Sequence, residues 1–194
     1  MIGAGKFSSA LLLLSMLGTA ACGHVENSCT LQQPVLSHIA QTNGVQCAGD
    51  NAIVVYLDRN TGAVSQGYDL NSVIRVLVRR GQVSDRYEKH GQAIQHLGNV
   101  TRFKPLDHAV LPLGFVRLDP GNAPPAWAEH TNGTAPDVGH FLAETEYVNG
   151  YFLQYLYNSS SIDDHMRIYS LVRSWAYRVS PNNSFKPKPL RGSA

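Results

Sequence analysis

Hydrophobic and polar positions form their clearest pattern in the first half of the chain. Residues 51–57 are rich in β-branched and aromatic side chains, which predicts a strand. The polar segment 58–62 ends in Gly62, a residue that tolerates the positive φ of a tight reversal, and residues 63–66 are expected to return as a second strand.

An amphipathic helix is predicted immediately afterwards, over residues 70–80. Apolar residues recur there at i, i+3, i+4, i+7 and i+8, the spacing of one helical face. Asp69 is a suitable N-cap, Arg79 and Arg80 suit the C-terminal end of the helix dipole, and Gly81 can end the helix. The apolar stripe consists of Leu70, Val73, Ile74, Leu77 and Val78.

The middle of the chain is less regular. Ser84–Leu97 predicts a weaker, mostly polar helix, while Val100–Phe103 and Val110–Leu118 are typical of strands. The proline- and glycine-rich stretch Asp119–Asp137 predicts a long irregular loop, of the kind that is often functional. Trp127 within it is a candidate docking residue, with local packing as the alternative.

Two further helices are predicted near the C-terminus, over Phe141–Tyr157 and Ser161–Val179, each with a wide apolar stripe. Such stripes are either central to the core or shared with another protein. The pattern therefore predicts a single α+β domain over residues 22–179. The polar, proline-containing segment 180–194 predicts a disordered tail.

The N-terminus carries the pattern of a secretory signal peptide over residues 1–21. Lys6 supplies the positive charge, an apolar run follows from Phe7 to Leu17, and small residues precede Cys22. The apolar run is shorter than the roughly 20 residues of a membrane span. A buried N-terminal helix is the alternative, but export is the better interpretation.

Cysteine usage suits an oxidising compartment. Cys29 and Cys47 are close enough in sequence to form a disulfide, which would stabilise the domain by about 3 kcal/mol in the loop-closure picture. Cys22 is left over. It is lost near the cleavage point, pairs with another chain, or carries lipid as in a bacterial lipoprotein.

Four N-glycosylation sequons follow the signal segment and favour a eukaryotic secretory route. Their acceptors are Asn99, Asn132, Asn158 and Asn182.

Charge and motifs argue against nucleic-acid binding and against catalysis. The net charge is +2, and the basic residues are scattered rather than gathered into a stripe. No nucleophile elbow, phosphate loop or zinc motif occurs, and the histidines are not spaced as helical metal ligands. The sequence Asp163-Asp164-His165 is explained by favourable charge at a helix start. We expect no enzyme activity, metal, cofactor or small-molecule substrate.

The strand–turn–strand–helix unit resembles the herpesvirus glycoprotein L family. The similar segments are Ile53–Arg59, Thr61–Val64 and Gly67–Leu70 leading into the helix, and more loosely Leu113-Gly114-Phe115 with the C-terminal helices. The resemblance implies a small chemokine-like unit. It also implies a heterodimer with a membrane-anchored glycoprotein H-like partner, which the chain helps to fold and transport, and a part in infection by membrane fusion at the virion envelope or host cell surface.

Under this interpretation, apolar residues of the helices and the long loop bind the partner. They are Leu70, Ile74, Leu77, Trp127, Tyr151, Tyr155 and Trp175. The main alternative is a bacterial outer-membrane lipoprotein tethered through Cys22 that acts as an assembly or binding subunit. A small secreted hydrolase with a dispersed site is a third possibility.

Overall fold

The structure, a computed structural model, describes residues 31, 33–109, 111, 113–132, 138–148 and 150–180. The predicted signal peptide, Cys22, Cys29, and the tail from residue 181 with Asn182 lie outside the described residues. Within them the chain forms three helices and nine strands. The helices are α1 (Pro34–Ala40), α2 (Arg86–His90) and α3 (Ile162–Val179). The strands are β1 (Gln46–Cys47), β2 (Ala52–Asp58), β3 (Val73–Arg80), β4 (Gly91–Leu97), β5 (Val100–Pro105), β6 (Phe115–Leu118), β7 (Ala126–Asn132), β8 (Gly139–Glu146) and β9 (Tyr151–Ser159).

All nine strands belong to one antiparallel sheet, in the order β1-β2-β3-β9-β8-β7-β6-β5-β4. The strands from β4 to β9 follow one another as a meander, and β9 then pairs with β3. The first three strands and the last strand of the chain therefore lie side by side, with β1 at one edge of the sheet.

The predicted helix over residues 70–80 is wrong, because most of this segment is strand β3. Its apolar residues also fit a period of two: Ile74 and Val76 are fully buried, while Arg75 between them is exposed. Strand β3 is paired on both sides, with β2 and β9, which satisfies its backbone groups inside the sheet. The carboxylate of Asp69 accepts the Asn71 N–H in a turn (3.0 Å) and caps no helix.

The predicted helix over Phe141–Tyr157 is also wrong, since the segment forms most of β8 and β9. A turn with Gly150 at φ +79° joins the two strands. In β9, Leu153, Tyr155 and Tyr157 are fully buried and the residues between them are partly exposed. This alternation is that of a strand with a core side and a more open side.

The middle segments differ from expectation in a similar way. The helix predicted over Ser84–Leu97 is short: α2 ends at His90, and β4 begins at Gly91. The long loop predicted over Asp119–Asp137 contains strand β7, and the strand predicted over Val110–Leu118 is shorter, as β6.

Three predicted elements are confirmed. Residues 51–57 coincide with β2 to within one residue, Val100–Phe103 lies in β5, and Ser161–Val179 is helix α3 starting at Ile162. The return strand over residues 63–66 is reduced to one bridge between Leu57 and Val64.

One face of the sheet carries the main core, which we define as the buried cluster between the sheet and helices α1 and α3. Helix α3 contributes Ile168, Val172 and Trp175, and the sheet contributes residues such as Val76 and Tyr155. The main core extends across the sheet from β2 to β5.

The opposite face carries a smaller cluster over β5, β6 and β7, which we call the aromatic cluster. Its buried members are Tyr87 of α2, Leu111, Phe115 and Trp127. The Tyr87 and Trp127 rings are stacked, with centroids 5.5 Å apart and planes at 9°. Helix α2 therefore covers this half of the face.

The coarse fold class, α+β, is confirmed, but the finer one is not. Residues 70–80 supply a strand where the chemokine-like unit requires a helix. The two predicted C-terminal helices are reduced to α3 alone. An antiparallel sheet with α1 and α3 on one face and the short helix α2 on the other describes this part of the chain better.

Candidate binding surface

The residues expected to bind a partner do not come together on one surface. Ile74, Tyr155 and Trp175 are buried in the main core, and Trp127 is buried in the aromatic cluster. Four of the seven are thus inside the domain, where they pack against their own chain.

The other three predicted partner residues are partly exposed but lie apart. Leu70 precedes β3, and Leu77 lies within it. Tyr151 begins β9, where its hydroxyl donates to Gln33 Oε1 (2.8 Å) and its ring packs against the main core. Of these three residues, only Leu77 lies on the sheet face away from α3.

This second face has a half that the described helices leave uncovered. Helices α1 and α3 pack on the other side, and α2 covers only β5 to β7. We call the uncovered part of β2, β3, β9 and β8 the open face. Its side chains are Tyr56, Arg75, Leu77, Leu142, Gln154 and Leu156.

The strand register places open-face residues directly opposite one another on neighbouring strands. Arg75 is paired with Tyr56 on one side and with Leu156 on the other, and Leu156 is paired with Leu142. Directly opposite side chains in an antiparallel sheet lie about 5 Å apart. The apolar side chains are partly exposed and Arg75 is exposed, so the row presents hydrocarbon beside a positive charge.

A loop borders the open face on the β2 side. The Tyr68 ring meets the Tyr56 ring edge-on at 4.8 Å, and Asn158 Nδ2 donates to Asn71 Oδ1 (2.8 Å). Tyr68 itself is 63% exposed. An exposed tyrosine at the border of an apolar surface offers both ring area and a hydroxyl to a partner.

A polar boundary separates the open face from the aromatic cluster. The buried carboxylate of Glu144 accepts from Gln154 Nε2 (2.9 Å) and from the Ser84 N–H (3.3 Å). Beyond it, Arg86 Nη2 and Glu129 Oε2 form an ion pair at 2.5 Å. These contacts fix the segment before α2 against the sheet, beside the open face.

Two imidazole–hydroxyl pairs lie within hydrogen-bonding distance. Tyr157 Oη lies 2.6 Å from His165 Nδ1, but both residues are fully buried, and burial raises the pKa of Tyr157 well above its ordinary value. His96 Nδ1 lies 3.0 Å from Thr101 Oγ1 at the surface. In the part of the chain that the structure describes, no carboxylate hydrogen bond orients the His96 imidazole, as a nucleophile–base pair requires.

A cleft of about 380 Å³ is lined by residues 81–83, 146–148 and 150–152. Tyr147 lines it and donates its hydroxyl to the Ala176 carbonyl (3.0 Å), and burial raises the pKa of Tyr147 to about 12. Within the described ranges, the structure contains no group of three or more potential metal ligands from His, Cys, Asp and Glu.

The predicted modification sites fall in different environments. Asn99 is exposed in the turn between β4 and β5, whereas Asn158 lies within β9 and is partly buried. Asn132 ends β7, and its side chain is outside the described part. Cys47 of β1 is disulfide-bonded; its predicted partner, Cys29, lies outside the described residues.

The open-face residues other than Leu77 were missed by helical interpretation of the sequence. The signals that could have found them are the β-branched residues of 73–78 and the aromatic residues of 151–157, both typical of strands. Comparisons with protein-family models, with curated proteins and with solved structures find no match to this chain. Among the described helices, none is long and apolar enough to span a membrane.

Proposed function

We propose that the chain is an exported, non-enzymatic binding subunit that holds a protein partner of an envelope assembly on its open face. The single observation that carries the proposal is the row Tyr56–Arg75–Leu156–Leu142, a partly exposed apolar strip with an embedded guanidinium. Solvated faces of antiparallel sheets are usually polar, so an apolar row there favours a protein contact.

The chemistry of the row suits a partner surface that is apolar with an acidic residue at its centre. Arg75 is flanked by the Tyr56 ring and by Leu156, so a carboxylate that reaches it is shielded from water by neighbouring hydrocarbon. Interface cores are enriched in tyrosine and arginine for this reason.

The partner is a membrane-anchored glycoprotein H-like protein in the first version of this proposal, with the chain assisting its folding and transport and membrane fusion. The resemblance behind this version extends over Ile53–Leu70 and a following helix. Residues 73–80 form strand β3 and not the helix of that motif. The first version is therefore supported by the strand and the turn of the motif alone.

The second version is a bacterial envelope lipoprotein tethered through Cys22. Cys47 is disulfide-bonded, and the chain has three cysteines, so a bond with Cys29 leaves Cys22 available for lipid. Both versions give the open face the same role and differ in the anchor.

Site-specific photocrosslinking tests the shared proposal. With benzoylphenylalanine at Leu156, full-length chain in the cells that make it is expected to give one discrete crosslinked species with an anchored envelope protein. The matched control is the same probe at Leu106, which is 61% exposed. Equal or absent crosslinking at the two positions would overturn the proposal.

The two versions are separated by the same preparation. Diacylglycerol on Cys22 in the intact mass of the mature N-terminus supports the lipoprotein. Glycosidase-sensitive mass at Asn99, together with co-purification of a co-expressed glycoprotein H ectodomain, supports the viral subunit.

A further inference from the structure

The two edges of the sheet differ in length and protection. The β1 edge is two residues long, whereas β4 at the other edge is seven residues long. Every strand between them is paired on both sides. Strand β4 therefore exposes the longest row of backbone N–H and C=O groups that lack a sheet partner in the described part of the chain.

Strand β4 carries few of the features that keep an edge from pairing. Its sequence, Gly91–Leu97, contains no Lys, Arg, Asp, Glu or Pro, and its five central residues are exposed. Natural edge strands are commonly protected by such charges or by proline. The neighbouring β5 does contain Arg102, Lys104 and Pro105, but it is an interior strand.

One irregularity interrupts β4. The pairing with β5 shifts between Ala93 and Gln95, so Ile94 has no partner residue on β5. Ile94 is 57% exposed. A bulge bends its strand and is itself one of the features that protect a sheet edge, and here it leaves an exposed isoleucine at the middle of that edge.

We propose that β4 pairs antiparallel with β4 of a second copy about a twofold axis at Ile94. The axis sets Ile94 against its symmetry mate, Ala93 against Gln95, and Gln92 against His96. No like charges oppose each other in this arrangement, because the strand contains no Lys, Arg, Asp or Glu. A twofold contact of this kind is self-complementary and closes at a dimer.

A second copy is favoured over other occupants because β4 can pair with itself without opposing charges and without a proline that lacks an N–H. The edge lies at the opposite end of the sheet from β2 and β3, so the dimer leaves most of the open face accessible. The inference therefore goes beyond the proposed function and does not depend on it.

Sedimentation velocity of the full exported chain over the micromolar range tests the dimer. The wild type is expected to shift from monomer to dimer as concentration rises. Ile94→Lys is expected to weaken dimerisation at least about tenfold, since it puts two like charges on the axis. Leu106→Lys, at a residue of similar exposure (61%), is expected to dimerise as the wild type does.

A cysteine variant tests whether Ile94 lies opposite its symmetry mate in the dimer. Ile94→Cys is expected to give a disulfide-linked dimer under mild oxidation, because directly opposed Cβ atoms lie within about 5 Å. Leu106→Cys controls for the native cysteines and is expected to stay unlinked. A wild type that remains monomeric, or a dimer that Ile94→Lys leaves unchanged with unaltered circular dichroism, would overturn the inference.

Discussion

The main core and the aromatic cluster lie on opposite faces of one sheet and are built differently. The main core is covered by α3, an 18-residue helix, and spans strands from β2 to β5. The aromatic cluster is covered by α2, a helix of 5 residues, and has four buried members among the described residues. A larger apolar area removed from water gives the main core the larger share of stability.

Charges take a greater part in the aromatic cluster. The Arg86 guanidinium lies 4.8 Å from the Tyr87 ring centroid and pairs with Glu129, and the Arg117 guanidinium lies 5.3 Å from the Trp127 ring. Such contacts cover a small cluster that a short helix cannot enclose. One face of the sheet is therefore stabilised mainly by packing under a long helix, and the other by aromatic rings that arginine side chains border.

The chain's two tryptophans allow the regions to be followed separately, since Trp175 lies in the main core and Trp127 in the aromatic cluster. Single-tryptophan variants made with phenylalanine therefore report each region's unfolding by fluorescence.

The largest expected effect comes from Trp175→Ala. Removing a side chain that is 2% exposed leaves a cavity beneath α3, so the free energy of unfolding should fall by about 3–5 kcal/mol. Urea unfolding followed by far-UV circular dichroism measures it. Trp175→Phe is the control and should cost clearly less, because it keeps a ring and removes an indole N–H that has no acceptor. Equal losses for the two variants would contradict the importance we assign to packing.

A smaller, local effect is expected from Gly91→Ala in the aromatic cluster. A Cβ at Gly91 would collide with the Phe115 ring and lie 2.7 Å from the Tyr87 carbonyl oxygen. The expected cost is about 1–3 kcal/mol, seen mainly in Trp127 fluorescence in the Trp175→Phe background. Gly114→Ala is the matched control, since its Cβ would come no closer than 3.5 Å to Phe103. An equal shift at Trp175 in the reciprocal background would mean that the regions unfold together.

The smallest of the three effects concerns an ion pair that fastens α3 over the main core. Burial would raise the pKa of Asp164, but hydrogen bonds from Ser160 and Arg167, with the Arg59 charge, hold that pKa well below its usual range. Arg59 Nη2 lies 2.8 Å from Asp164 Oδ2. Asp164→Asn should therefore lower the free energy of unfolding by about 1–2 kcal/mol at neutral pH.

The stabilisation by Asp164 depends on pH. A carboxyl with a lowered folded-state pKa stabilises fully above its unfolded pKa of about 4, and the stability is lost as pH falls toward the folded value. The gap between wild type and Asp164→Asn should thus be constant near neutrality and shrink below about pH 4. Asp163→Asn, at the exposed neighbouring position, should show little of either effect. A gap that persists at low pH would rule out the charge as its source.

Sequence patterns predicted the elements whose signals agree with one another. Helix α3 has a helical stripe together with Asp163 and Asp164 in its first turn, and β2 is a continuous β-branched run bounded by a turn. In both α3 and β2 the apolar residues fit only one type of element, so local preference and tertiary structure agreed.

The failures occurred where apolar residues fit both periods. Val73, Ile74, Leu77 and Val78 match a helical stripe, but three of four are β-branched, and tertiary pairing with β2 and β9 decided the outcome. In residues 141–157, Asn149-Gly150 is a strong hairpin signal that the helical interpretation passed over.

The candidate surface was correspondingly hard to predict. Helical spacing selected large apolar residues, and those are the residues a core buries, as Tyr155 and Trp175 illustrate. The open face depends on Leu142 and Leu156 being opposite each other, which is a matter of register between strands and leaves no mark in local sequence.

The pairing of β3 with β9 has a consequence for how the chain is made. Strand β9 and helix α3 leave the ribosome after every other described element, and the 70 residues 81–150 are made between β3 and its second neighbour. Structures dominated by contacts between distant segments form slowly. The β3–β9 pairing can therefore form only late in synthesis, once the residues of β9 up to Leu156 have been made.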